Sequence, residues 1–238
     1  QEACLHAGRP FEITGLDHFY QFTAHALSAR MHDAKMIKEK ARVSVREQQM
    51  AEVAHRYGLQ FKPTTVATLN SHGFVYLRRG DNRQESNVMT GLYEGCHVKL
   101  FDYSHTAAPD YYLEHLHTLI MLRCLEGADV ELPNLAITPG DYLERYLVEY
   151  QEVDLTERPA LAAHYRLYAQ DPAQALAFIG PKAEQLLKYN PGFYVEIRDN
   201  VLLAFRPGRE LETPETIKLL FDFADIAGAR PESAANQV

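Results

Sequence analysis

His115 and His117 stand two residues apart in a run that reads as a strand, so their side chains share one face of it. His105 lies in the adjoining loop with Asp110. His97 opens the neighbouring strand, and Asp102 follows further along. Neutral imidazole and carboxylate are the ligands of zinc, iron and nickel, and a His-x-His pair can supply two of them. His97, His105, His115, His117 and Asp102 are therefore the candidate metal set. They lack a third ligand at a diagnostic spacing, and the chain carries no His-Glu-x-x-His. The competing reading is a pair of surface or half-buried histidines in a sheet.

Asp102-Tyr103-Ser104-His105 gathers an acid, a hydroxyl and an imidazole, but neighbours in a strand face opposite ways, which argues against a local triad. Asp102 reads more simply as a hydrogen-bonding residue that fixes a strand end and its turn. Gly91-Leu92-Tyr93-Glu94-Gly95 precedes a strand rather than a helix and makes no nucleotide fingerprint. Arg78, Arg79 and Arg83 form a small basic knot suited to an anion contact or to a solvated loop. No catalytic constellation is assigned, and no cofactor is expected.

The elements that would position these residues emerge from punctuation and periodicity. Leu16–Tyr57 contains neither proline nor glycine. Phe19, Phe22, Ala26 and Ala29, then Met50, Val53, Ala54 and Tyr57, recur at helical spacing, with Gly58 as the cap. Strands are expected at Asn87–Tyr93, His97–Tyr103 and His115–Leu125. A fourth is expected at Val130–Thr138, where Pro133 points to an edge or a bulge. Glu94-Gly95 and Asp199-Asn200 are hairpin turns. Helices are expected at Asp141–Val148, Pro172–Ile179, Pro181–Tyr189 and Pro214–Ala229, three of them beginning with proline in the first turn. The fold class is α+β: an antiparallel sheet built of hairpins, with a long N-terminal helical segment and a C-terminal helix packed on it. The expected division is 1–57 helical segment, 58–229 α+β domain and 230–238 tail.

Composition bounds the function. The 238 residues carry a net charge of −8, which disfavours nucleic acid as a partner. Within that acidic chain, Arg30, Lys35, Lys38, Lys40, Arg42 and Arg46 face only Asp33 and Glu39. The stretch is about +4 and suits a solvated helix face, a docking segment or peripheral contact with a membrane. Three widely spaced cysteines, Cys4, Cys96 and Cys124, argue against a disulfide framework and for a reducing compartment. No run of about 18–20 apolar residues is present.

At Asn87–Thr106 the sequence reads NVMTGLYEGCHVKLFDYSHT. This resembles a family of uncharacterised bacterial proteins whose central segment runs Asn-Val, Gly, Gly, Val, Phe-Asp-Tyr and Thr. The resemblance extends from about Arg46 to Ala229, through Phe205-Arg206-Pro207-Gly208. It brings no activity, substrate or catalytic residue. Many relatives carry membrane helices ahead of the soluble region, which implies a cytoplasmic, membrane-associated setting for the basic stretch. The expected function is a non-catalytic interaction or ligand-sensing domain, with a protein partner or self-association. The alternative is a metal-assisted small-molecule hydrolase built on the histidines.

Overall fold

The computed structural model describes residues 45–63, 66, 67, 73–107, 110–124, 132–140, 142, 147, 149–208 and 212–227. The chain divides into two units, residues 1–46 and 47–238, and the sheet belongs to the second. The helical pattern over Leu16–Ala29, the basic residues Arg30 to Arg42 and the expected tail lie outside the described residues, as does most of the helix expected at 141–148.

Among the described residues ten strands form one antiparallel sheet. They are β1 (Gln60–Lys62), β2 (Val66–Ala67), β3 (Asp81–Tyr93), β4 (Cys96–Ala107), β5 (Asp110–Cys124), β6 (Leu135–Pro139), β7 (Gln151–Val153), β8 (Tyr165–Ala169), β9 (Tyr194–Arg198) and β10 (Val201–Phe205). Their order is β1-β3-β4-β5-β10-β9-β6-β8-β7, with β2 also on β3. The helices are α1 (45–56), α2 (Pro159–Ala162), α3 (Pro172–Phe178), α4 (Pro181–Tyr189) and α5 (Pro214–Ala227). The α+β class and the antiparallel sheet are as expected. No helix among the described residues is long and apolar enough to cross a membrane.

Two tight turns set the register. Glu94 and Gly95 have φ of 47° and 76°, and Asp199 and Asn200 have 50° and 61°. Positive φ at both central residues is the type I′ pattern, whose twist matches the strands it joins. Tyr93 thus faces Cys96, and Arg198 faces Val201. The β3–β4 ladder is interrupted at two register shifts. Asn82 and Asn87 lie at them with φ of 51° and 52°, a region that asparagine tolerates better than most residues. Through these bulges β3 starts at Asp81 rather than near Asn87.

The strand expected at Val130–Thr138 is shorter, and Pro133 precedes it. β6 is an interior strand, between β9 and β8, rather than an edge. It does not follow β5 in the sheet, because the β9–β10 hairpin sits between them. That central place explains the sequence Val201-Leu202-Leu203-Ala204-Phe205, buried at every position: a strand covered on both faces needs apolar side chains on both.

One face is packed by helices. Met50, Val53 and Ala54 of α1 and Ile217, Leu220, Phe221, Phe223 and Ala224 of α5 join Val98, Leu100, Ile120, Leu122, Leu202 and Ala204 in a single core. Tyr57 stacks on Phe221 at 3.9 Å, and Phe221 meets Tyr93 edge-on at 5.0 Å. Asp171 caps α3 by accepting from the N–H groups of Ala173 and Gln174.

The other face is covered by the segment Phe74–Leu77, which runs into a 3₁₀ turn at Tyr76–Arg78. Phe74, Tyr76 and Leu77 pack on Phe101, Tyr103, Leu119, Tyr194, Leu203 and Phe205. Two glycines bracket the segment. A Cβ on Gly73 would lie 2.9 Å from Arg198 Cδ, and one on Gly80 would lie 2.3 Å from the Thr106 carbonyl oxygen and 2.5 Å from His105 Cδ2. Both have positive φ, 75° and 70°. Only glycine combines that backbone with so close an approach.

Candidate functional site

The ladder registers lay out the face beneath Phe74–Leu77 as parallel rows of side chains. His105 faces His115, and Tyr103 faces His117. Phe101 faces Leu119, which faces Phe205, which faces Tyr194. Next come Thr90, Lys99, Met121, Leu203 and Glu196, then Leu92, His97, Arg123, Val201 and Arg198. Four of the five candidate residues therefore share this face, since all four histidines occupy odd positions of β4 and β5. His97 nevertheless stands eight residues from His105 along one strand, a separation of about 27 Å. Asp102 is on the opposite face.

At the closed end the three remaining histidines gather. His105 and His115 stack at 5.0 Å with 21° between ring planes. Tyr76 meets His105 and His117 edge-on, at 5.5 Å from each. His117 also packs against Phe205 at 5.4 Å. Burial lowers the pKa of His105 to about 4, helped by His115 and then Arg79 and Arg83. Burial likewise lowers His117 to about 3, helped by His105 and His115 and opposed by a hydrogen bond with the Arg206 backbone. Both rings are neutral at pH 7, and the Nδ1 atom of each is buried with no hydrogen bond. Among the described residues no group of three or more His, Cys, Asp or Glu side chains is arranged to hold a metal ion. Asp110, the first residue of β5, is described in its backbone alone.

Asp102 instead knits strands together. Its Oδ2 accepts from Asn87 Nδ2 at 2.9 Å, at the second bulge, and its Oδ1 accepts from Thr118 Oγ1 at 2.8 Å. Thr118 Oγ1 in turn accepts from the Glu212 N–H at 3.1 Å, fixing the approach to α5. The expected hydrogen-bonding role is present, with partners on β3 and β5 rather than in a turn. Ser104 shares the Asp102 face and His105 does not, so the three make no triad. In the basic knot, Arg83 Nη1 donates to the Leu77 carbonyl at 3.0 Å, and Arg79 bonds the Tyr142 hydroxyl. Both hold the covering segment in place.

The residue that sequence reasoning missed is Glu196, fully buried in the middle of the sheet. Both of its carboxylate oxygens accept from the Val75 N–H at 3.0 Å, and Oε2 also accepts from the Tyr194 hydroxyl at 2.9 Å. Arg198 Nε lies 3.9 Å from Oε1, and Arg198 Nη2 bonds Glu149 and Tyr150, each at 3.0 Å. Burial raises the Glu196 pKa, while the Val75 and Tyr194 hydrogen bonds and the Arg198 charge lower it. The carboxylate sits where the 3₁₀ turn begins, meeting its unsatisfied N–H groups. A lone glutamate in the otherwise apolar Phe193–Ile197 was the available signal.

Toward the Glu94-Gly95 turn the same face opens into a groove of about 440 Å³ between β1, β3, β4, β5 and β10. Gly91, Met121 and Val201 contribute apolar surface, Gln60 and Thr90 neutral polar groups, and His97, Lys99 and Arg123 the basic ones. Lys99 Nζ is 2.6 Å from Glu85 Oε2 and 4.7 Å from the Phe101 ring centre. Arg123 and His97, opposite each other, are exposed. Among the described residues Arg123 enters no ion pair.

The chain matches no protein-family model and no curated protein. Among solved structures it is similar to the crystal structure of the mycobacterial trehalose monomycolate transport factor A, TtfA, with a TM-score of 0.47 and 13% sequence identity. That match covers 76% of this chain and 94% of the other.

Proposed function

We propose that this protein is a non-catalytic ligand-sensing or interaction domain whose contact surface is the groove at the open end of the sheet. One observation carries the reading: along a single sheet face, the groups suited to acid–base chemistry are buried, while the exposed end is a concave, mixed apolar and basic surface. His105 and His117 are neutral and sealed beneath Tyr76, and Glu196 is spent on the 3₁₀ turn. A groove of 440 Å³ lies within the range of small-ligand sites. The metal-assisted hydrolase draws less support, since its five residues fall on two faces and about 27 Å of strand.

The basic stretch Arg30, Lys35, Lys38, Lys40, Arg42 and Arg46 belongs to the same proposal. It supplies peripheral contact with the cytoplasmic membrane surface or a face for self-association. The groove is tested by titrating the full chain with a panel of small organic acids, amines and alcohols, followed by ¹H–¹⁵N NMR. Shifts centred on Thr90, His97, Lys99 and Arg123, with every compound recovered unchanged, are the expected result. Turnover of a compound, shifts centred on His105 and His117, or no shift at the groove would overturn it.

A further inference from the structure

From the balance of charge around the groove we infer its ligand class: a small organic acid with one carboxylate on an apolar body. The inference rests on the groove being the contact surface. Two permanent cations line it. Lys99 is already compensated, its ammonium 2.6 Å from a carboxylate oxygen of Glu85, which is itself 9% exposed. Arg123 is exposed, and among the described residues no acid pairs with it. One uncompensated guanidinium calls for one anionic group, and its planar fork fits a carboxylate through two parallel hydrogen bonds.

Arg123 also has a defined neighbourhood. The register sets it between His97 on β4 and Val201 on β10, with Met121 one row away on its own strand. A carboxylate on Arg123 thus lies beside a further hydrogen-bonding ring, and the rest of the molecule extends over Met121, Val201 and the Gly91 backbone. Gly91 enters that floor through its backbone alone: it pairs with Val98, whose side chain belongs to the opposite face, and a Cβ at Gly91 would point away from the groove to within 2.7 Å of Leu59 Cδ2. Gln60 and Thr90, opposite each other at the far rim, offer neutral polar groups to the other end. The volume holds roughly fifteen water-sized shares, which suits a compact acid and not a polymer. The basic notch also stands out against the net charge of −8, which repels anions elsewhere.

The test uses the full chain with 4-phenylbutyrate and its neutral amide, read by calorimetry and by NMR shifts at the groove. The acid is expected to bind about tenfold more tightly than the amide. Arg123→Gln is expected to bring the acid down to the amide's affinity and to leave the amide unchanged, and added salt should weaken the acid alone. Acid and amide binding equally in the groove, with Arg123→Gln silent, would overturn the anion assignment and leave the groove standing. Absence of both from the groove would remove groove and ligand class together. Anionic phospholipid vesicles held through Arg123, with no binding of phenylbutyrate, would replace the small acid by a lipid surface.

Discussion

Acid should unfold this protein through its two sealed imidazoles. His105 has its pKa lowered to about 4 and His117 to about 3 in the folded chain, whereas an unfolded chain protonates both near 6.5. The folded state therefore binds fewer protons, and stability falls as pH drops below 6.5. The contribution is fully present above pH 6.5 and is lost on descent toward the folded values. At pH 5 an unfolded histidine is almost entirely protonated and either folded one almost entirely neutral. The loss is then about 2 kcal/mol per residue, a large share of the roughly 5–15 kcal/mol that holds an average domain together. Urea unfolding followed by far-UV circular dichroism at pH 5, 6 and 7 measures it for the native chain and for His105→Phe with His117→Leu. The double variant starts from a different baseline, because the bond to the Arg206 backbone is gone, but its slope between pH 5 and 7 should be shallower by a few kcal/mol. Parallel slopes would refute the reasoning, since they would mean that these rings take up protons in the folded protein as readily as in the unfolded one.

Glu196 titrates with the opposite sign: burial raises its folded pKa above 4.5, so the stability it contributes is fully present below that pH and is lost as pH rises through the folded value. Glu196→Gln should remove that dependence, which the same urea series reads. Glu196→Ala should cost about 2–5 kcal/mol, because the Val75 N–H and the Tyr194 hydroxyl lose a buried acceptor, and hydrogen exchange at Val75 and Tyr76 should accelerate with it. Gly80→Ala combines a φ of 70° with a Cβ 2.3 Å from the Thr106 carbonyl, and a loss of more than about 1–2 kcal/mol in thermal or urea unfolding is expected. Phe221→Ala removes the ring stacked on Tyr57 and should cost about 3–5 kcal/mol by the same measurement.

Local chemistry is the legible part of this fold. Glu94-Gly95 and Asp199-Asn200 announce their turns through residues that accept positive φ, and α3 and α4 announce their starts through Pro172 and Pro181. Alternation likewise places His115 and His117 on one face, whereas His105, expected in a loop, lies within β4. What alternation lacks is distance and neighbour. It does not show that β4 runs on through His105, so that eight residues of extended chain part His105 from His97. It gives Phe205 a face without saying that Leu119 is opposite. Those facts come from register, which the hairpin turns transmit from β3 to β4 but not from β5 to β10. The stretch before β3 is ambiguous in sequence for a related reason. Tyr76–Arg78 holds its 3₁₀ turn through Glu196, a residue more than a hundred positions later, so no local signal could mark it.

The β9–β10 hairpin has a consequence in time. Among the described residues it is the last strand pair, and it sits in the middle of the sheet, so residues pairing across β5 and β10, such as Leu119 and Phe205, are roughly eighty positions apart. During synthesis β5 and β6 emerge well before the hairpin that separates them. Until it arrives, each presents a bare edge of unpaired N–H and C=O groups beside apolar side chains. A chain interrupted before Tyr194 would keep both edges permanently, and each could then recruit a strand from another copy. The closing residues of the sheet thus act as its internal chaperone, and the exposure to aggregation lasts while the ribosome delivers the stretch from Cys124, the end of β5, to Phe205, the end of β10.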